Sequence, residues 1–162
     1  MERSKRWYDQ RYNATWAKDC VLGEISENES FHILKEVFIH DLKKCREGFV
    51  MDYESEEYYV ELKTRQNTSD KYSDTMVGKD KIDFAGRTNK QSFFVFRFTD
   101  GFYYWKYNTI DLTNGNVQFR IGGRRDRGFK ELKTYAYIKT EILKKIKFPP
   151  SESKELISES NI

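Results

Sequence analysis

The stretch Phe49-Val50-Met51-Asp52-Tyr53-Glu54-Ser55-Glu56-Glu57-Tyr58-Tyr59-Val60-Glu61-Leu62-Lys63-Thr64 reads as two short strands, residues 49–53 and 58–65, joined by a polar turn. Side chains alternate between the faces of a strand. Phe49, Met51 and Tyr53 therefore share one face, as do Tyr58, Val60 and Leu62 on the second strand. A turn centred on Glu56-Glu57 places Met51 opposite Leu62, Tyr53 opposite Val60, Asp52 opposite Glu61 and Val50 opposite Lys63. This register keeps one face apolar, whereas a slip of one residue would mix the faces.

The register brings two carboxylates, Asp52 and Glu61, to roughly 5 Å at Cβ. Like charges so close need a cation between them. Hard oxygen ligands at that spacing suit Mg²⁺ or Mn²⁺, which bind through one or two carboxylates together with water and substrate phosphate. Lys63, two residues on and on the same face, is placed to orient or deprotonate an attacking water, or to offset charge on a phosphate. The plainer alternative is that Asp52, Glu61 and Lys63 are the solvated face of an amphipathic hairpin.

Outward from the hairpin, the pattern is helix, strands, helix, strands. Trp7, Tyr8, Tyr12 and Trp16 recur about a turn apart, so a helix is expected over residues 5–18. Gly23 breaks it, and Ser26 with Glu29 resembles a capping box opening a second helix over 26–43. A polar loop, 66–75, follows the hairpin; its part from Asn67 to Ser73 is a candidate lid or groove contact. Residues 79–87 suit a short helix. Residues 92–98 and 102–107 read as strands around the Asp100-Gly101 turn, and Asn114-Gly115 marks a further hairpin leading into 117–121. Residues 132–139 read as a strand and 141–147 as a terminal helical turn, which Pro149-Pro150 stops. The fold class is α/β (α+β) with a mixed sheet flanked by helices. One domain is expected over residues 1–148, with 149–162 a disordered polar tail.

The chain has 162 residues, 34% of them charged, and no apolar run of membrane-spanning length, so no membrane partner is expected. Met1 to Arg6 leads into no apolar stretch, which points to an intracellular protein, cytoplasmic or nuclear, without a signal peptide. Cys20 and Cys45 are expected to be free thiols. His32 and His40 lie too far from either for a zinc spacing. Net charge is only +3, but residues 120–147 hold ten Lys or Arg against three acids. Arg120, Arg124, Arg125 and Arg127 cluster around Gly122-Gly123, where close backbone approach and guanidinium forks suit phosphate oxygens. Such contacts give affinity rather than sequence choice. A flexible basic turn is the alternative.

Asp52, eight intervening residues and then Glu61-Leu62-Lys63 resembles the PD-(D/E)XK nuclease superfamily, and Val60-Glu61-Leu62-Lys63-Thr64-Arg65 looks like its second core strand. Gly23-Glu24-Ile25-Ser26-Glu27, with Ser30 and Leu34, is similar to its first helix. Met51 stands where the motif's name has proline. The resemblance covers about residues 23–98 and implies a restriction-endonuclease-like core of helix, three strands, helix and strand. It implies metal ligation by Asp52, Glu61 and the Leu62 carbonyl, and water positioning by Lys63. Glu27, with Glu24 as the alternative, would complete the site directly or through water. The helix after the hairpin would turn Lys79 and Lys81 towards a phosphate. The implied activity is Mg²⁺- or Mn²⁺-dependent endonucleolytic hydrolysis of DNA, with RNA not excluded and a homodimer compatible with the family. A catalytically inactive nucleic-acid-binding module on the same fold, and a structural or assembly protein, are the competing readings.

Overall fold

The computed structural model describes residues 27–122 and 132–148. The helix expected over 5–18, Glu24, Cys20, Arg124, Arg125, Arg127 and the tail lie outside them. The described elements are α1 (Glu27–Val37), β1 (Lys43–Lys44), β2 (Tyr53–Glu54), β3 (Tyr58–Thr64), β4 (Asp74–Gly78), α2 (Lys79–Arg87), β5 (Gln91–Phe98) and β6 (Gly101–Lys106). They continue with α3 (Thr109–Thr113), β7 (Val117–Gly122), β8 (Lys133–Lys139), a 3-10 turn (Thr140–Ile142) and β9 (Lys144–Lys145). Two sheets form, a six-stranded one ordered β1-β2-β3-β5-β6-β9 and a three-stranded one ordered β4-β8-β7. All pairings are antiparallel except β3 with β5, so the larger sheet is mixed, as expected for an α+β nuclease-like core.

Strand β5 is central and buried along its length from Ser92 to Phe98, the pattern of a strand covered on both faces. Its alternation divides the interior in two. Phe93 and Val95 join Val60, Leu62 and Tyr104 beneath Phe31, Ile33, Leu34 and Val37 of α1. Phe94, Phe96 and Phe98 face the other way, towards Ile82 and Ala85 of α2 and Val77, Ala136, Ile138 and Val117 of the small sheet. The acids Glu27 and Glu29 in the first turn of α1, with Lys35 in the last, suit its macrodipole.

Several local expectations are corrected. Helix α1 ends at Val37 rather than at residue 43, because Lys43 and Lys44 are drawn into extended pairing with Glu54 and Tyr53. The hairpin register holds where the strands pair, Tyr53 with Val60 and Glu54 with Tyr59. The first strand is only two residues long, however. Met51 leaves it and packs in the α2-side core with Phe94 and Ile82, not against Leu62, which lies in the α1-side core. The polar loop ends in strand β4, and its tip is tied down: Ser69 donates from its N–H and hydroxyl to the Asp100 carboxylate at 2.8 and 2.6 Å, and Thr99 N–H donates to the Asn67 carbonyl. That anchoring counts against a freely moving lid. Asn114-Gly115 closes helix α3 instead of a hairpin, with Gly115 at φ +90°. Residues 141–147 hold the end of the 3-10 turn and β9, which pairs with β6, in place of a helical turn.

Candidate active site

Strand β3 builds the site by its alternation. Val60 and Leu62 are anchored in the α1-side core, which obliges Glu61 and Lys63 to project from the opposite face. Glu61 is 1% exposed, an unusual position for a carboxylate. Its Oε1 accepts Lys63 Nζ at 3.0 Å and lies 3.5 Å from Lys81 Nζ, which α2 delivers from across the interface. Its Oε2 is buried without a hydrogen-bond partner. Burial raises the Glu61 pKa above the usual carboxylate value, the Asp52 charge adds to that, and Lys63 and Lys81 pull it back.

Asp52 arrives beside Glu61 from the end of β2. Its N–H donates to the Val60 carbonyl at 3.2 Å, and its own carbonyl accepts the Cys45 N–H at 3.0 Å. Its carboxylate Oδ2 accepts the Leu62 N–H at 2.9 Å. The side chain thus occupies a backbone donor of β3 immediately after Glu61.

Glu27 opens α1 and is exposed. It lines one cavity of about 440 Å³ together with Asp52, Tyr53, Cys45 and Met51. Tyr53 reports on the same neighbourhood, since burial first and then the charges of Glu27, Asp52 and Glu61 push its hydroxyl pKa up. Among the described residues, though, no three or more His, Cys, Asp or Glu side chains group closely enough to hold a metal ion. Glu27 is exposed where it lines that cavity.

The donor set suits one hard divalent cation with few protein ligands. A buried carboxylate oxygen without a donor costs roughly 1–3 kcal/mol or more, and a second carboxylate beside it increases the cost. A divalent cation held by Asp52 and Glu61 would relieve both and would supply Lewis-acid chemistry at a phosphate.

The remaining basic candidates are dispersed. Lys79 pairs with Asp83 at 2.8 Å on the outer face of α2. Arg120 pairs with Asp74 at 2.8 Å and stacks over Tyr137. Neither belongs to the Glu61 cluster. Lys81 does; the resemblance turned it towards the site, but its pairing with Glu61 comes from a helix packing against a strand that precedes it in the chain. Cys45 is a free thiol whose pKa is pushed up to about 12 by burial and by the Glu54 carboxylate, 3.5 Å from its sulfur. It is held as the thiol, not as a nucleophile. His32 and His40 are exposed on the α1 side, away from the β3 face that carries Glu61.

No described helix is long and apolar enough to cross a membrane. Compared with known protein families, the chain matches the model described as "Phage putative PDDEXK endonuclease" over residues 25–146, most of its length and all of the site. Neither the curated proteins nor the solved structures contain a match to it.

Proposed function

The chain belongs to that family of PD-(D/E)XK endonucleases, and from this membership we propose that it hydrolyses phosphodiester bonds in DNA at a divalent-metal site held by Asp52 and Glu61. The observation that carries the reading is the buried, partnerless Oε2 of Glu61 beside the Asp52 carboxylate. A Mg²⁺ or Mn²⁺ ion there would polarise the scissile phosphate and lower the pKa of bound water. Asp52, Glu61 and the Leu62 carbonyl are its proposed ligands, and Glu27 at the rim would reach it through water.

Lys63 is the proposed water-positioning residue. It is half-buried and anchored on Glu61 Oε1, which would keep its ammonium beside a metal held by that carboxylate. Hydrolysis is direct: water attacks phosphorus, the 3′ or 5′ oxygen leaves, and no covalent enzyme intermediate forms. Lys79, Lys81, Arg120 and the arginines at 124, 125 and 127 are the proposed nucleic-acid contacts; backbone phosphates are their targets.

The test is plasmid DNA with Mg²⁺, Mn²⁺ or EDTA. Wild type should nick or cut with either metal and be silent in EDTA. Glu61→Ala and Lys63→Ala should each remove most cleavage, and only Glu61→Ala should also weaken metal binding. Absence of cleavage on duplex, single-stranded, branched and RNA substrates would favour the inactive binding module. Cleavage that survives both substitutions would assign the activity to another site.

A further inference from the structure

The spacing of the Asp52 and Glu61 carboxylates would decide whether one ion can bind both; backbone groups of Val60, Leu62 and Cys45 hold Asp52, but none of them holds the Glu61 carboxylate. The β2–β3 ladder reaches Tyr53, and its last backbone bond is Asp52 N–H to the Val60 carbonyl. Beyond that point two backbone groups of these segments are bonded to side chains. The Leu62 N–H goes to the Asp52 carboxylate. The Val50 carbonyl accepts the Lys81 ammonium, the same ammonium that lies 3.5 Å from Glu61 Oε1.

Lys81 thus joins three separate pieces of chain: α2, the segment entering Asp52, and the Glu61 carboxylate. Its own position is well determined. Ile82, next to it on α2, is buried in the core with Ala85, and Lys79 and Asp83 pair on the outer face of the helix. The Lys81 side chain is 20% exposed, against 35% for Lys63, so it is the more enclosed of the two ammonium groups.

We propose that Lys81 is a positioning residue of the cleavage site, which takes over from the truncated β-ladder and holds the Val50–Asp52 segment and the Glu61 carboxylate in the spacing that a divalent cation requires. The proposal rests on the metal-nuclease reading of the site, and it goes beyond a phosphate contact for this lysine. Groups that orient ligands rather than bind the ion typically change metal affinity or activity by about 10–100-fold when removed, and small misplacements of reacting groups have comparable effects.

The decisive measurement is the affinity of the full chain for Mn²⁺ alone, by calorimetry, for wild type, Lys81→Met and Lys81→Gln, because two roles predict opposite signs. A lysine that acts only as a nearby positive charge repels the ion, so both substitutions would tighten Mn²⁺ binding. A lysine that positions the carboxylates makes them weaken it, with Lys81→Gln, which keeps an N–H donor, closer to wild type than Lys81→Met. The expected result for Lys81→Met is about tenfold weaker Mn²⁺ binding and a kcat lower by about tenfold or more. Should Lys81→Met lose its cooperative unfolding transition, the sign of the change in Lys81→Gln decides alone. Unchanged or tighter Mn²⁺ binding in both variants, with wild-type cleavage intact, overturns the proposal and leaves the nuclease reading standing. Wild-type Mn²⁺ affinity in both variants, with DNA binding weaker and its salt dependence flatter, would leave Lys81 a phosphate contact and overturn the positioning role. A wild-type chain that neither binds Mn²⁺ nor cleaves with it removes both.

Discussion

Glu61 and Asp111 stand at the two ends of one row across the large sheet, and the protein treats their carboxylates in opposite ways. Glu61 on β3 pairs with Phe94 on β5, Phe94 pairs with Trp105 on β6, and the Trp105 indole donates to Asp111 at 2.8 Å. Asp111 also accepts from the side-chain amides of Asn108 at 2.7 Å and Asn116 at 2.9 Å. Burial alone would raise its pKa, but these donors, with Asn114, hold it below the usual value. Asp111 is a carboxylate whose bonding capacity is spent on joining α3 to β6 and β7. Glu61 is more deeply buried, has a raised pKa and keeps one oxygen without a partner. The Asp111 carboxylate is fully bonded within the fold, whereas the unpartnered Glu61 oxygen is the one the proposed metal would satisfy.

Neutralising each carboxylate in turn should separate their roles most clearly. Glu61→Gln is expected to reduce cleavage by about 100-fold or more, the scale on which one positioned catalytic group contributes. The metal-free variant should be at least as stable as wild type at neutral pH, as urea unfolding would show. Asp111→Ala should do the reverse. It leaves the buried Trp105 indole without its acceptor and should lower the unfolding free energy by about 1–3 kcal/mol. Cleavage per folded molecule should stay within about twofold of wild type. A folded Asp111→Ala protein that cannot cleave would show that the two ends of the row are coupled.

The pH dependence of stability sharpens the same contrast, because the two shifts have opposite signs. Glu61 binds its proton more tightly when folded, so the folded state loses stability as pH rises from the unfolded carboxylate value of 4.5 through the raised folded value. Glu61→Gln should abolish that loss in metal-free protein. Asp111 binds its proton less tightly when folded. Its contribution is present above the unfolded value of 3.8 and disappears as pH falls through the lowered folded value. Urea titrations of wild type, Glu61→Gln and Asp111→Asn across the acid range should resolve both; a wild-type curve parallel to that of Glu61→Gln would contradict the Glu61 assignment.

Smaller effects are expected from the basic candidates. Neutralising Arg124, Arg125 and Arg127 together should lower the salt slope of DNA binding by up to about three, roughly one for each phosphate that is no longer neutralised. Arg120→Ala should change it by less than about one, because Asp74 and Tyr137 already hold that guanidinium. Equal slopes for wild type and the triple variant would remove those arginines from the interface.

Much of this was legible from local pattern. The alternation of apolar residues identified the Tyr53–Val60 register, and the spacing of Asp52, Glu61 and Lys63 singled out the candidate site, since both depend on neighbours in the chain. The bounds of α2 and the strands flanking Asp100-Gly101 followed from the same short-range signals. Strand β4 was missed because a five-residue strand at the end of a polar loop carries no period of its own. Asn114-Gly115 suits both a hairpin and a helix end, and only the three donors converging on Asp111 select the latter.

By itself the sequence determined which side chains share a face, because the two-residue period of a strand is a covalent property of the backbone. It therefore determined that Glu61 and Lys63 project opposite to Val60 and Leu62. Only the tertiary structure decided how deeply Glu61 is buried, that Met51 departs from Leu62 for the other core, and that Lys81 crosses from α2 to reach both Val50 and Glu61. Those outcomes depend on which helix packs over which strand. That is a competition among apolar surfaces distant in the chain, and no local pattern encodes its result.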